Sequence, residues 1–247
     1  MNLLVGFIAF VSEYLDSALG MGYGTALAPI LILLGYSPLA VVPAILISQF
    51  FTDIAACYCH HQACNVDLRL SGPDFKIAFL LGLLSAFGVV ISVIVALKIP
   101  RWFLTFYIGC LVTSMGVLIL TTSGKKFRFS WPKIAGIGLL AAFNKGISGG
   151  GYGPLLMGGQ ILSGVKTNNA VGITAFAEAM TCLAGFLTYL ILGKTIDWGL
   201  TGLLLISAVP AVPFAALTVR QARTGKLKKS VAILMIILGL LTFLKIG

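Results

Sequence analysis

The chain has 247 residues, of which 59% are hydrophobic and only 10% charged, and its mean hydropathy is +1.05. No soluble domain hides that much apolar surface, so the composition excludes a water-soluble globular protein and indicates a chain that crosses a membrane several times. The net charge of +10 is read as loop charge that orients spans. It does not indicate a nucleic-acid binder, because no soluble basic domain is present to hold one.

A span needs roughly 20 mostly apolar residues. In chain order the predicted segments are Leu3–Leu34, Leu39–His60, Phe75–Leu97, Trp102–Thr122, Lys133–Leu162, Asn168–Leu192, Trp198–Val219 and Ser230–Ile246. Backbone groups left unpaired in lipid are costly, so the spans are expected to be helices. The lack of alternating ten-residue patterns argues against an outer-membrane barrel. The first segment has no basic start and carries Glu13 and Asp16, unlike a cleavable signal peptide. The expected class is an all-α polytopic membrane protein.

The first and fifth segments are each interrupted by glycine: Gly20-Met21-Gly22-Tyr23-Gly24 and Gly149-Gly150-Gly151-Tyr152-Gly153. The two breaks are 129 residues apart, and the same offset pairs Leu33 with Leu162, Gly35 with Gly164, Val42 with Val171, Thr52 with Thr181 and Ala55 with Ala184. The chain therefore reads as a first membrane repeat (1–122), a basic cytoplasmic linker (123–132) and a second membrane repeat (133–247).

Charge suggests how the repeats cross. Lys125, Lys126, Arg128 and Lys133 form one basic loop; Arg220, Arg223, Lys226, Lys228 and Lys229 form another. Both belong in the cytoplasm, and three segments separate them. Both stay inside only if Lys133–Leu162 enters and returns as a re-entrant hairpin or two short spans. Each half then has one hairpin plus three spans, an odd number of crossings, so the halves are inverted repeats. Lys98 and Arg101 fall outside in this scheme, which counts against it. Broken helices at the interface of inverted repeats are where many transporters bind solute.

The glycine breaks free the backbone and expose the N–H groups of the following half-helix, where an anion is favoured. Ser148, Gly149, Gly150, Gly151 and Gly153, ahead of Pro154, form an expected anion cradle, with Gly22, Tyr23, Gly24 and Thr25 opposite. Lys145, beside Asn144, is a charge inside an apolar run and is expected to be functional: it either meets an anionic substrate or pairs with Glu13, Asp16 or Glu178. Together with the half-helix ends it is expected to make the centre electropositive. Tyr23 and Tyr152 are expected to line or gate the site. Asp16 matches Lys145 in the repeat, and Gln49 matches Glu178. Glu178, Glu13, Asp16 and Gln49 are the coupling candidates; Asp53 is a weaker one.

Two other readings compete. Cys57, Cys59, His60, His61 and Cys64 have the residue types of a soft-metal site and would suit a metal-cation transporter, but their spacing is no recognised zinc or haem pattern. Gly146-Ile147-Ser148-Gly149 spells an intramembrane serine protease motif, yet both histidines precede Ser148, and a base histidine is expected in a later span. No phosphate-binding loop of an ATPase is present.

At Glu13–Thr25, Lys145–Leu155, Gly158–Gly164 and Asn65-Val66-Asp67 the chain resembles the TauE/SafE sulfite-exporter family, also called the toluene-sulfonate uptake permeases. The likeness covers essentially the whole chain. The resemblance implies a prokaryotic inner-membrane permease, not an enzyme, for sulfite, sulfoacetate or other sulfonates. The expected partners are a small anionic substrate, a coupling proton or sodium ion, the lipid bilayer and, left open, a homodimer mate. No cofactor is expected.

Overall fold

A computed structural model of the chain describes residues 2–70, 72–122, 131–162, 165–221 and 225–245. Among them there are helices and no strands. The helices are α1 (Asn2–Leu19), α2 (Tyr23–Leu33), α3 (Pro38–Gln62), α4 (Pro73–Ala96), α5 (Arg101–Thr122), α6 (Trp131–Ser148), α7 (Tyr152–Leu162), α8 (Thr167–Ile191), α9 (Trp198–Ala208), α10 (Ala211–Gln221) and α11 (Gly225–Thr242), which ends in a 3₁₀ turn. Every boundary of α6, α7 and α8 lies 129 residues after the matching boundary of α1, α2 and α3. The basic stretch 123–130 and positions 222–224, which carry part of the orientation reasoning, lie outside the described residues.

Among the described residues, five helices are long and apolar enough to cross a membrane: α1, α3, α4, α5 and α8; the bent pair α9 and α10 passes the same test jointly. At 1.5 Å per residue, α1 and α6 are about 27 Å long while α2 and α7 reach only about 16 Å. Each glycine-broken unit is thus one nearly full-length helix and one half-length helix packed back on it. The segment expected to run unbroken over Trp198–Val219 bends by 42° between α9 and α10. Pro210 sits in the break; a proline has no N–H to continue the helical ladder. The last helix starts at Gly225 rather than Ser230, because lysines are good helix formers and extend it toward its N-terminus.

The helix α4 illustrates how the bundle is held. Its face bearing Phe79, Leu83, Phe87, Ile91 and Ile94 is exposed, a continuous apolar stripe at helical spacing suited to lipid. Its opposite face carries Gly82, Ser85, Gly88, Val89 and Ser92 and packs on α6 and α8. Small residues let these backbones come close, which matters in lipid because water does not drive helices together. The contacts are reciprocal between halves: α4 packs on α6 and α8, while α9 and α10 pack on α1 and α3.

The two glycine breaks meet each other at the centre. A Cβ on Gly24 would lie 1.7 Å from the Gly149 carbonyl oxygen, and one on Gly153 would lie 2.5 Å from the Gly20 carbonyl oxygen. Those are the same contact read from either half, since Gly24 matches Gly153 and Gly20 matches Gly149. A methyl group at Gly24 has only backbone to displace. Gly24→Ala is therefore expected to cost about 3 kcal/mol or more, seen as a lowered unfolding midpoint in detergent. Gly158→Ala, where the added Cβ meets nothing within 4 Å, should leave the midpoint unchanged.

Candidate functional site

The centre of the bundle is polar, and helical spacing puts it there. Glu13, Asp16 and Ser17 fall on one face of α1, Gln49 and Asp53 on one face of α3, and Glu178 and Cys182 on one face of α8. Lys145 projects from the last turn of α6. All of these are buried, Lys145, Glu13 and Gln49 completely. A charge in a membrane interior needs a partner, and the pairing is specific. Lys145 Nζ donates to Glu178 Oε1 at 2.7 Å and also to Gln49 Oε1. The Gln49 amide nitrogen donates to Glu178 Oε1 at 3.0 Å and to Asp16 Oδ2 at 3.1 Å. Gln49 thus bridges Asp16 and Lys145, which are matched positions of the two halves, and bonds directly to its own match, Glu178.

The half-helix ends are also occupied. The Asp16 carboxylate accepts from the backbone N–H of Tyr23, the first residue of α2, at 3.1 Å. Opposite it, the Gly151 N–H just ahead of α7 donates to the Thr25 hydroxyl at 2.9 Å, and the Gly150 N–H donates to Ser148 Oγ at 3.1 Å. The N–H groups of Tyr23, Gly150 and Gly151 thus carry the chain's own oxygens. The carbonyls at the ends of α1 and α6 are met in parallel fashion. His60 Nε2–H donates to the Ser17 carbonyl at 2.8 Å while its Nδ1 accepts from Asn65 at 3.0 Å. At the matched positions of the other half, the Tyr189 hydroxyl donates to the Gly146 carbonyl at 3.3 Å. Helix ends leave such carbonyls without an intrahelical partner.

Lys145 takes Glu178 as its partner, one of the pairings open to it from the sequence. It shares the centre with four buried carboxyl side chains, Glu13, Asp16, Asp53 and Glu178, so that centre is acidic in residue content rather than electropositive. Tyr23 and Tyr152 are fully buried and turn their hydroxyls to Ser48 and Ser85, each at 3.0 Å. Asn144 accepts from the Tyr107 hydroxyl rather than joining the Lys145 network.

The Cys57/Cys59/His60/His61/Cys64 group does not converge. Successive helical residues point about 100° apart, and both His60 nitrogens are engaged by protein groups. Among the described residues, the one group of three His, Cys, Asp or Glu side chains placed to share an ion is instead Asp53, Glu178 and Cys182. Ser148 Oγ donates to the carbonyl of Asn144 or Gly150 and accepts from the Gly150 N–H, and no histidine is among those partners. Spacing along the chain gives Asp53 and Cys182 little prominence. Their signal was the repeat itself, because Asp53 and Cys182 are matched positions.

Two glycine-broken units meeting across a buried polar centre, inside a lipid-facing helical bundle, define a multi-pass membrane transporter. The chain belongs to the sulfite exporter TauE/SafE family, whose model matches residues 4–242. It is similar to the probable membrane transporter protein YtnM of Bacillus subtilis (strain 168), at 24% identity over 233 residues, covering 89% of this chain and 75% of that one. No solved structure matches it.

The Lys145–Glu178 pair makes a sharp energetic demand. Lys145→Met leaves the Glu178 carboxylate buried and unpaired, a change expected to cost about 3–5 kcal/mol. Combining Lys145→Met with Glu178→Gln should recover much of that loss, because the double variant strands neither charge of the pair. Denaturant unfolding of the purified protein in detergent measures both.

Proposed function

We propose that this chain is a secondary transporter, not an enzyme, and that it carries small sulfur-containing anions such as sulfite, sulfoacetate or another sulfonate across a prokaryotic inner membrane. One observation carries this reading: the chain's own carboxylates sit on both anion-binding groups, Glu178 on Lys145 and Asp16 on the N-terminus of α2. Groups that hold a carboxylate at 2.7 and 3.1 Å suit a sulfonate, whose oxygens offer the same charge and acceptors. The substrate displaces Glu178 and Asp16 and takes their hydrogen bonds. Ser148 and Thr25 hydroxyls yield the N–H groups of Gly150 and Gly151 to it in the same step. A small molecule that exchanges with internal mimics leaves as readily as it enters, which transport requires.

Transport proceeds by alternating access between two inverted halves, with the contact of the two glycine breaks as the pivot. Once displaced, Asp16 and Glu178 are buried negative charges, so a coupling proton or sodium ion must accompany the anion. Membership of a sulfite exporter family supports the substrate class, and the relative named as a probable membrane transporter supports transport.

The test is thermal stabilisation of the purified protein by sulfite, sulfoacetate, taurine, sulfate and acetate, since a ligand that binds only the folded state raises its midpoint. A shift selective for sulfite or a sulfonate, absent in Lys145→Ala, is expected. Asp16→Asn removes one internal competitor and should tighten binding roughly 3- to 10-fold. A shift that survives Lys145→Ala intact, or no shift with any anion, refutes the reading.

A further inference from the structure

Three side chains from two helices converge at the ion pair, and of them only Glu178 takes part in it. One ligand atom from each of Asp53, Glu178 and Cys182 lies within 4.8 Å of the other two. Next to them is a small cavity lined by the oxygen-bearing side chains of Asp16, Ser17, Asp53, Thr174 and Glu178 and, on the rest of its wall, by glycine, alanine and valine. It leaves about 10 Å³ to the centre of a water-sized sphere, the scale of one water or one dehydrated small ion. Asp53 is only 2% exposed, and its Oδ2 is buried without a hydrogen-bond partner among the described residues.

The charges around this cavity are unequally met. Glu178 has Lys145 at 2.7 Å. Asp16 has a half-helix N-terminus on one oxygen and the Gln49 amide on the other, and a helix N-terminus carries about half a positive charge. Glu13 accepts from Ser17 at 2.6 Å; its second oxygen also lacks a partner, but Glu13 does not line the cavity. Asp53 is the cavity carboxyl with neither a cation nor a helix end assigned to it. A bare carboxylate at that depth costs several kcal/mol, so a positive charge belongs there.

We propose that the cavity between Asp53, Glu178 and Asp16 is a binding site for a dehydrated monovalent metal cation, sodium in size, with the Thr174 and Ser17 hydroxyls completing the oxygen shell. Hard oxygen donors select an alkali ion over a soft metal. The small volume favours sodium over potassium, and a divalent ion such as magnesium gives up its hydration shell too reluctantly to enter a site of one ion's volume. Glu178 belongs both to this site and to the Lys145 pair. An anion that takes Lys145 from Glu178 therefore strengthens the cation site, and a bound cation lightens the release of Glu178. This coupling rests on the anion reading above; the cation site itself does not.

The experiment uses the full-length purified protein without any organic anion, at constant chloride and ionic strength, with sodium, potassium or choline as the cation. Sodium is expected to raise the unfolding midpoint saturably, by about 5 °C or more at saturation, with a smaller effect from potassium and none from choline. Asp53→Asn should abolish the sodium shift, and Thr174→Val should weaken the apparent affinity about tenfold. If Asp53→Asn does not fold, Thr174→Val decides. Equal midpoints in sodium and choline overturn the site, as does a sodium shift unchanged by these variants. A midpoint that answers only to acid, and does so through Asp53, assigns a proton in place of the metal ion and equally overturns it. Because no organic anion is present, failure here leaves the anion-binding result standing on its own measurement.

Discussion

The structure depends on the close approach of two glycine-rich breaks. With the Gly24 Cβ position only 1.7 Å from the Gly149 carbonyl, no other residue type fits at that crossing. This contact brings the ends of four helices, α1, α2, α6 and α7, to one point. Broken helix ends carry N–H and carbonyl groups with no partner of their own, and in a membrane those groups must be met by protein. The polar centre follows from that requirement. Asp16, Thr25 and Ser148 meet the N–H groups, while His60 and Tyr189 meet the carbonyls.

The same device explains why a site can exist there. A half-helix end capped by a side chain is stable and yet exchangeable, since a ligand with similar oxygens can take the cap's place. In the proposed reading Asp16 and Glu178 are internal counterparts of the anion; Gln49 ties both into one network. Displacing either alters the partners of the other. Two matched positions that have diverged, Asp16 against Lys145 and Asp53 against Cys182, make the centre chemically asymmetric although its helices correspond one for one.

The bundle around this centre is ordinary by comparison. Small residues on the inner face of α4 allow close packing, and its outer stripe of Phe, Leu and Ile suits lipid. Among the described helices outside the glycine-broken units, the departure from a simple span is the bend between α9 and α10 at Pro210. It falls in the counterpart of α4 and makes the second half less regular than the first. That bent pair packs on α1 and α3, the helices carrying Asp16, Gln49 and Asp53.

Composition alone determined that this chain crosses a membrane as helices, because its apolar content has no other place to go. The 129-residue offset made the repeat and both broken units legible, and single residues such as Lys145 and Glu178 stood out because a charge inside an apolar run is costly. The proline break at residue 210 was also written in the chain, though a long apolar run concealed it. Which partner each charge takes was decided only in three dimensions. Lys145 had three candidate carboxylates, and spacing along the chain cannot choose among helices that are distant in sequence. The tertiary fold chose Glu178, 33 residues away in sequence, with Gln49 between the halves. It also gave the buried Asp53 its prominence and separated His60 from the neighbouring cysteines. Those outcomes depend on which helix faces meet, and the meeting is set by the glycine crossing and by packing over the whole bundle.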